Sequence, residues 1–413
     1  MTDSGMDEFP GDLNGLKLEA LQGVEYEDLP LGALVLPSVR WILRRHHLRE
    51  DAATCRLFRS YIESAWHVGR VFTRLVDEVK PCAVVVFNGM FYPEAVVRRV
   101  AERKGIRVVT HEVGVRPLSA FFTEGEATAY PIELPDTFEL TPLQDQKLDQ
   151  YLAERFRGHF TMAGIRFWPR ITPLGRQVLD RLPSFKRMVP VFTNVVFDTS
   201  QSHSNVVFSD MFEWLDEILE IMKTHPETLF VIRAHPDEYR PGKMSRETVA
   251  EWAADRSLGT LPNGVFIDAG DPASSYELIE RAHTVMVYNS TIGLEAALMG
   301  KPVVCGGKTR YTPFETAYQP PTRRAFRELT NRLLDSETPD IPGRFRSNAR
   351  RFMYYQLFYA SLAFADYLKE DRRKPGYVRF KEIPWEEFRP SQSPMLKTIV
   401  QGITEGKEFV VGG

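Results

Sequence analysis

The sequence predicts an α/β protein with two domains, each built on a mostly parallel, doubly wound sheet. Three observations carry this. Strand and helix patterns alternate over residues 82–110 and again from residue 189 onward. The strands read as continuous apolar runs, as in sheets covered on both faces. Polar residues gather just after several of these runs, where open parallel sheets bind ligands. A chain of 413 residues has room for two or three domains.

In chain order, residues 1–30 read as an irregular start. A largely helical stretch over about 50–79 ends near Lys80-Pro81. The run CAVVVF at 82–87 is expected to be a strand buried on both faces. Asn88-Gly89 breaks it. Pro93 suits the first turn of a helix that runs through EAVVRRVAERK and stops at Gly105. A second strand at 106–110 follows, and strand–helix–strand in this space implies parallel pairing. Residues 130–185 are rich in proline, charge and aromatics without a strand pattern, and read as an insertion plus linker.

The second series starts near Val189 with VPVFTNVVF, followed by a polar loop at 198–205. Asp210 with Glu213 and Ser274 with Glu277 stand at capping-box spacing and mark two helix starts. Further strands are expected at 228–234, 265–268, 284–288 and 302–305. Helical spacing with many aromatics returns at 346–368. The expected domains are 1–185, 186–345, and a C-terminal helical segment and tail over 346–413.

Bulk chemistry narrows the function. The net charge of -3, from 52 basic and 55 acidic residues, gives no reason to expect a nucleic-acid binder. Cys55, Cys82 and Cys305 are far apart with no CxxC spacing, so neither a disulfide framework nor a zinc site is implied. The nine histidines are scattered and form no HExxH pair, so no protein-built metal site is expected. The acidic, polar N-terminus does not read as a secretory signal. No run approaches the ~20 apolar residues of a membrane span. The expectation is a cytoplasmic protein, with peripheral membrane contact left open.

The run YNSTIGLEAALMGKPVV at 288–304 carries the strongest chemistry. After Asn289, Ser290 reads as an N-cap. The amides of Thr291, Ile292 and Gly293 then point out of the helix start. With the dipole and two hydroxyls they make an anion site suited to a nucleotide phosphate. Gly293 removes a side chain where a ligand approaches, and Glu295 is placed to accept from ribose hydroxyls. The plainer alternative is an ordinary capped helix. The run VIRAHPDE at 231–238 puts His235 at a strand end, with Pro236 fixing the turn. That imidazole suits donation to a phosphate oxygen, and its protonated form would add charge stabilisation. Arg233 either contributes to the site or pairs with a neighbouring carboxylate.

With these residues in place, the chain resembles the bacterial capsule-polysaccharide biosynthesis glycosyltransferases related to the Kdo transferases, which have a GT-B fold. The resemblance rests on Asn88-Gly89 with Pro93 and the arginine-rich helix, THEVG at 110–114, RAHP at 233–236 and NSTIGLEAALMGKPVV at 289–304. It covers roughly residues 80–125 and 190–310. Thr123-Glu124-Gly125 is a looser match. The resemblance implies two Rossmann-like domains facing a cleft, with C-terminal helices crossing back. In similar sialyl- and polysialyltransferases, His-Pro and a Ser-Ser or Ser-Thr pair bind a cytidine nucleotide donor. By that likeness His235, Ser290 and Thr291 would hold the donor phosphate. CDP-glycerol phosphotransferases carry similar pairs. The Ser-Gly-Gly-x-x-Glu-Glu run of the non-hydrolysing UDP-GlcNAc epimerases is absent, which counts against an epimerase.

The N-terminal half is then expected to present the acceptor and a base. An inverting transfer needs a group to take the acceptor hydroxyl proton. Glu112, expected just beyond the second strand, is the first choice and His111 the second. The alternative is that Glu112 only pins a loop. Glu124 and Glu126 have weaker support. The loop at 198–205 reads as donor-side or as plain solvent loop. Lys308 and Arg310 either offset donor charge or are solvated. The basic run RWILRRHHLR at 40–49 reads mainly as a solvated helix face, and the aromatics of 352–367 as packing.

The expected function is metal-independent transfer of a sugar from a nucleotide-activated donor to a glycan or lipid-linked acceptor. Cytidine nucleotide is favoured and UDP is possible, and no cofactor is expected. The alternatives are a CDP-polyol phosphotransferase and an inactive scaffold of polysaccharide assembly.

Overall fold

The computed structural model describes residues 8–157, 172–371, 373–374 and 376–412. The chain is a mixed α/β fold with parallel sheets, as expected, and it divides into two compact units. Unit 1 is Met1–Glu112, Phe121–Tyr130 and Phe388–Phe409; unit 2 is Val113–Ala120, Pro131–Glu387 and Val410–Gly413.

Unit 1 opens with α1 (Leu18–Gln22), α2 (Leu31–Leu43) and α3 (Ala52–Val79). The long helix α3 starts at Asp51, whose carboxylate accepts the Thr54 amide at 2.8 Å. Its buried positions Phe58, Ile62, Ala65, Trp66 and Gly69 follow helical periodicity and pack against Leu31, Val35 and Val96. Strand β1 (Ala83–Phe87) leads through α4 (Glu94–Arg103) to β2 (Arg107–Val113). The two strands pair in parallel, with Val85 opposite Val109 and Phe87 opposite His111. Strand β3 (Ser119–Glu124) follows. Within the C-terminal segment of this unit, a helix over Pro394–Glu405 contacts β1, and Arg107 donates to the carbonyls of Gly402 and Ile403 at 3.4 Å.

Two expectations change here. Strand β1 is not buried on both faces: Val85 and Phe87 are 44% and 43% exposed. It lies at the edge of its sheet, and the face shared by these alternating residues is incompletely covered. Strand β2 continues past Thr110, so His111 and Glu112 lie in the strand itself.

Unit 2 holds α5 (Pro142–Phe156), α6 (Arg176–Leu179), β4 (Arg187–Phe192), α7 (Gln201–Ser204), α8 (Met211–Thr224), β5 (Thr228–Arg233), α9 (Val249–Asp255), β6 (Gly264–Ile267), α10 (Ser275–Arg281), β7 (Val285–Val287), α11 (Ile292–Leu298), β8 (Val303–Cys305), α12 (Arg323–Asp335) and α13 (Gly343–Phe358). Short strands β9 (Leu362–Ala363), β10 (Leu368–Glu370) and β11 (Val378–Phe380) follow. The main sheet has the order β6-β5-β4-β7-β8, all pairs parallel.

Helix caps shape its edges. Asp210 accepts the amides of Phe212 and Glu213, and Ser274 accepts that of Glu277. Neither box closes as expected. Glu213 turns back to the Ser209 amide, and Glu277 reaches the Leu174 amide at 2.9 Å. The core includes Leu148 and Leu152 of α5 and Phe352 and Leu357 of α13. The aromatic segment is therefore packing, as read. Residues 131–157 lie with unit 2 although the boundary expected at 185 assigns them to the first domain.

Candidate functional site at the switch point of unit 2

Strand order reverses between β4 and β7: the chain builds outward through β5 and β6 on one side and through β8 on the other. Such a reversal sends adjacent connections apart and opens a crevice beyond the strand carboxyl ends. Asn194 follows β4, His235 follows β5, and Asn289-Ser290-Thr291 follows β7.

Asn289 is the centre of a brace. Its amide nitrogen donates to Ser204 Oγ at 2.7 Å, its oxygen accepts from Gln201 at 3.2 Å, and its backbone N–H reaches Asn194 Oδ1 at 3.4 Å. Tyr288 donates to Asn205 Oδ1 at 2.6 Å. The segment 198–205 is therefore not a plain solvent loop: it contains α7, and Thr199, Gln201 and Ser204 are buried. Asn289 holds this segment in place, which uses the groups expected to touch the donor.

Helix α11 begins one residue later than the sequence suggests. Thr291 is the N-cap residue, already helical at φ -64°, and Ser290 Oγ accepts only the Ile292 amide, at 3.5 Å. The Gly293 amide donates to the Ser290 carbonyl at 3.2 Å. Two of the three amides expected to face a ligand are thus turned inward. The hydroxyls of Ser290 and Thr291 remain half-exposed, and among the described residues neither donates a hydrogen bond.

Gly293 serves a different purpose from the one expected. A Cβ there would collide with the Tyr311 hydroxyl and with Val287. Tyr311 uses that space to donate to the Ser290 carbonyl at 2.8 Å. Glu295 is likewise engaged inside the fold. It is buried, and its two oxygens accept from Arg155 at 2.7 Å and from Tyr276 at 2.5 Å. Burial alone would lower the Arg155 pKa, but the Glu295 charge raises it overall. That pair ties α5 to α11, so the ribose-binding role expected of Glu295 is displaced by a structural one.

His235 Nδ1 accepts the Asp237 amide at 3.1 Å, which leaves the proton of a neutral ring on Nε2. Burial lowers its pKa, opposed by the charges of Asp237 and Asp198. Burial therefore works against the protonated form expected from sequence. Pro236 opens a 3₁₀ turn over Pro236–Tyr239. Burial pushes the neighbouring Glu238 carboxyl up to about 8, so it is largely uncharged at pH 7. Arg233 is drawn towards the loop after β6, where the Asp268 and Asp271 charges offset part of the effect of its burial. Its two arms donate to the carbonyls of Asp268 and Asp271, both at 2.5 Å.

In unit 1 the two candidate bases separate. Neighbouring residues of a strand face opposite ways. Glu112 Oε2 accepts from Asn88 Nδ2 at 2.8 Å. Asn88 is buried at φ 62°, and its own oxygen accepts the Met90 amide. His111 lies between the rings of Phe87 and Phe122, each centroid 5.4 Å away, and burial lowers its pKa. Those surroundings are packing. Glu124 pairs with Arg107 at 3.0 Å and Glu126 with Arg98. Sequence reasoning missed Asn88, Tyr311 and Arg155. Only Asn88 left a signal, as the Asn-Gly that ends β1.

Residues 176–327, which include the whole switch point, match the family model described as "Capsule polysaccharide biosynthesis protein". Protein FixF of Sinorhizobium fredii (strain NBRC 101917 / NGR234) is 26% identical over 239 residues, covering 55% of this chain and 49% of that protein. The chain thus spans about half the length of this curated relative. Among solved structures, the chain is similar to the β-Kdo 2,4 transferase of Thermosulfurimonas dismutans KpsC, with 13% identity, 67% of this chain and 79% of that chain covered, and a TM-score of 0.45. For the β-Kdo 2,7 transferase of KpsC the values are 14%, 70%, 80% and 0.39. For the UDP-GlcNAc 2-epimerase of Neisseria meningitidis bound to UDP-GlcNAc they are 15%, 71%, 81% and 0.31.

Proposed function

From the membership of residues 176–327 in the capsule polysaccharide biosynthesis family, we propose that the protein is a GT-B-type glycosyltransferase. Its nucleotide-sugar donor binds at the switch point of unit 2. The observation that carries this reading is the set of donors at the carboxyl ends of β5 and β7: neutral His235 and the hydroxyls of Ser290 and Thr291. Donors fixed in place before the reaction stabilise charge as it develops on a leaving phosphate. A neutral Glu238 beside them spares that phosphate a nearby negative charge. Asn289, Tyr311 and the Arg155–Glu295 pair hold the donors in place.

In this reading Glu112 takes the acceptor hydroxyl proton, and Asn88 orients its carboxylate. No metal or cofactor takes part. The donor is a cytidine-linked sugar, with UDP the second choice, and the acceptor is a glycan or lipid-linked glycan at the membrane's inner face.

The test is a thermal-shift panel with CMP, CDP, UDP, GDP and ADP on wild type, His235→Ala and the Ser290→Ala/Thr291→Ala pair. A ligand at 100 times its Kd stabilises by about 2.7 kcal/mol. A shift with a cytidine nucleotide that both variants lose supports the reading. Equal shifts in all three proteins would sink the site assignment. Product analysis with the cognate donor then separates sugar transfer from polyol-phosphate transfer.

A further inference from the structure

Unit 1 contains a cavity of about 370 Å³ that the site above does not use. Small-molecule sites begin at about 300 Å³. It lies between the second half of α3, the end of α4 and the loop that carries Tyr26 and Glu27. The end of α4 leads into the start of β2, so this is the amino end of that strand. Glu112 stands five residues further along, about 16 Å away at the usual strand rise. The general rule for ligands at strand carboxyl ends therefore does not account for it.

Trp66, Arg70 and Arg74 line the cavity from one face of α3, at successive four-residue steps. Arg103 and Lys104 line it from α4. Two of these cations are committed: Arg103 to the Glu27 carbonyl and Asp28, and Lys104 to Asp77 at 2.6 Å. Arg70 lies over the Trp66 ring, 4.7 Å from its centre. Arg74 makes no hydrogen bond or ion pair among the described residues. Trp66 is 4% exposed and its ring meets Phe9 and Tyr26 edge-on, so it forms a packed wall behind the cations. An uncommitted guanidinium in a lining shared with Arg70, Arg103 and Lys104 suits an acceptor-only group.

We infer that this cavity is a second binding site, for a small ligand carrying a phosphate or carboxylate oxyanion. Arg74 supplies the charge-assisted hydrogen bonds. The inference stands apart from the proposed transferase site and does not depend on it.

Titration calorimetry on the full chain tests it, with inorganic phosphate, glucose 6-phosphate and glucuronate as probes and glucose as the neutral control. The expected result is saturable binding of at least one anion and none of glucose. The phosphate and carboxylate arms identify the oxyanion. Arg74→Ala, an exposed change that spares the core, weakens binding at least about tenfold. The inference is overturned if no anion binds or if Arg74→Ala binds as wild type does.

Discussion

The carboxylate at the end of β2 and the carboxylate one turn into α11 have opposite surroundings. Glu112 is half-buried and accepts from a neutral amide, Asn88. Glu295 is buried and accepts from a guanidinium and a phenol. Unit 2 adds a third case in Glu238, which is as buried as Glu295 but, among the described residues, accepts only the Val249 amide, at 3.4 Å. The three show that burial does not decide what a glutamate does. A cation makes Glu295 a structural anchor, burial with only weak backbone donation pushes the Glu238 pKa up, and Glu112 keeps partial exposure beside the Asn88 amide.

The largest expected effect comes from breaking the anchor. Glu295→Ala or Arg155→Ala leaves a buried charge without its partner and should lower stability by about 3–5 kcal/mol in denaturant unfolding. A loss below about 1 kcal/mol would mean that the pair is dispensable and that Glu295 is open to other roles. Next comes Gly293→Ala, which forces a methyl group against Tyr311 and should cost about 1–3 kcal/mol. Combining it with Tyr311→Phe should recover part of that loss, and purely additive effects would refute the contact.

The pH dependence of Glu238 is a subtler effect. Its pKa is about 8 when folded against an ordinary 4.5, so between these values the folded state keeps a proton that the unfolded state has released. Its contribution is therefore fully present below about pH 4.5 and is lost as pH rises through 8. Glu238→Gln should flatten the stability profile over that window, and an unchanged slope would rule out the raised pKa.

The smallest effect on stability belongs to Glu112→Gln, within about 0.5 kcal/mol. If Glu112 is the base, turnover nevertheless falls by about 10²-fold or more, measured as product formed with the cognate donor. Retained turnover would move Glu112 to the class of loop pins.

Much of the fold was legible because local chemistry wrote it. The apolar runs at β4, β5 and β8 are buried strands, and Asp210 and Ser274 cap helices. Legibility failed where distant residues decided the outcome. The run at β1 looks like the run at β4, but its place at a sheet edge leaves Val85 and Phe87 exposed. Glu295 finds Arg155 across 140 residues of sequence, and no local pattern predicts that partner. Gly293 was read as space for a ligand because Tyr311, which fills the space, comes later in the chain. That His235 and Ser290-Thr291 follow strands of one sheet was legible for the opposite reason: strand ends of a parallel sheet share one edge whatever joins them.

The return of residues 388–409 to unit 1 has a consequence for how the chain is made. Most residues of unit 2 run without a break from Pro131 to Glu387, so a growing chain has nearly all of that core before residues 388–409 are made. Unit 1 joins residues 1–112 to residues 388–409, so its helix over Pro394–Glu405 can reach β1 only after residues 131–387 have been made. Until then β1, already an edge strand, also lacks its contact with that helix, and exposed strand edges and apolar surface are what make incomplete chains prone to associate.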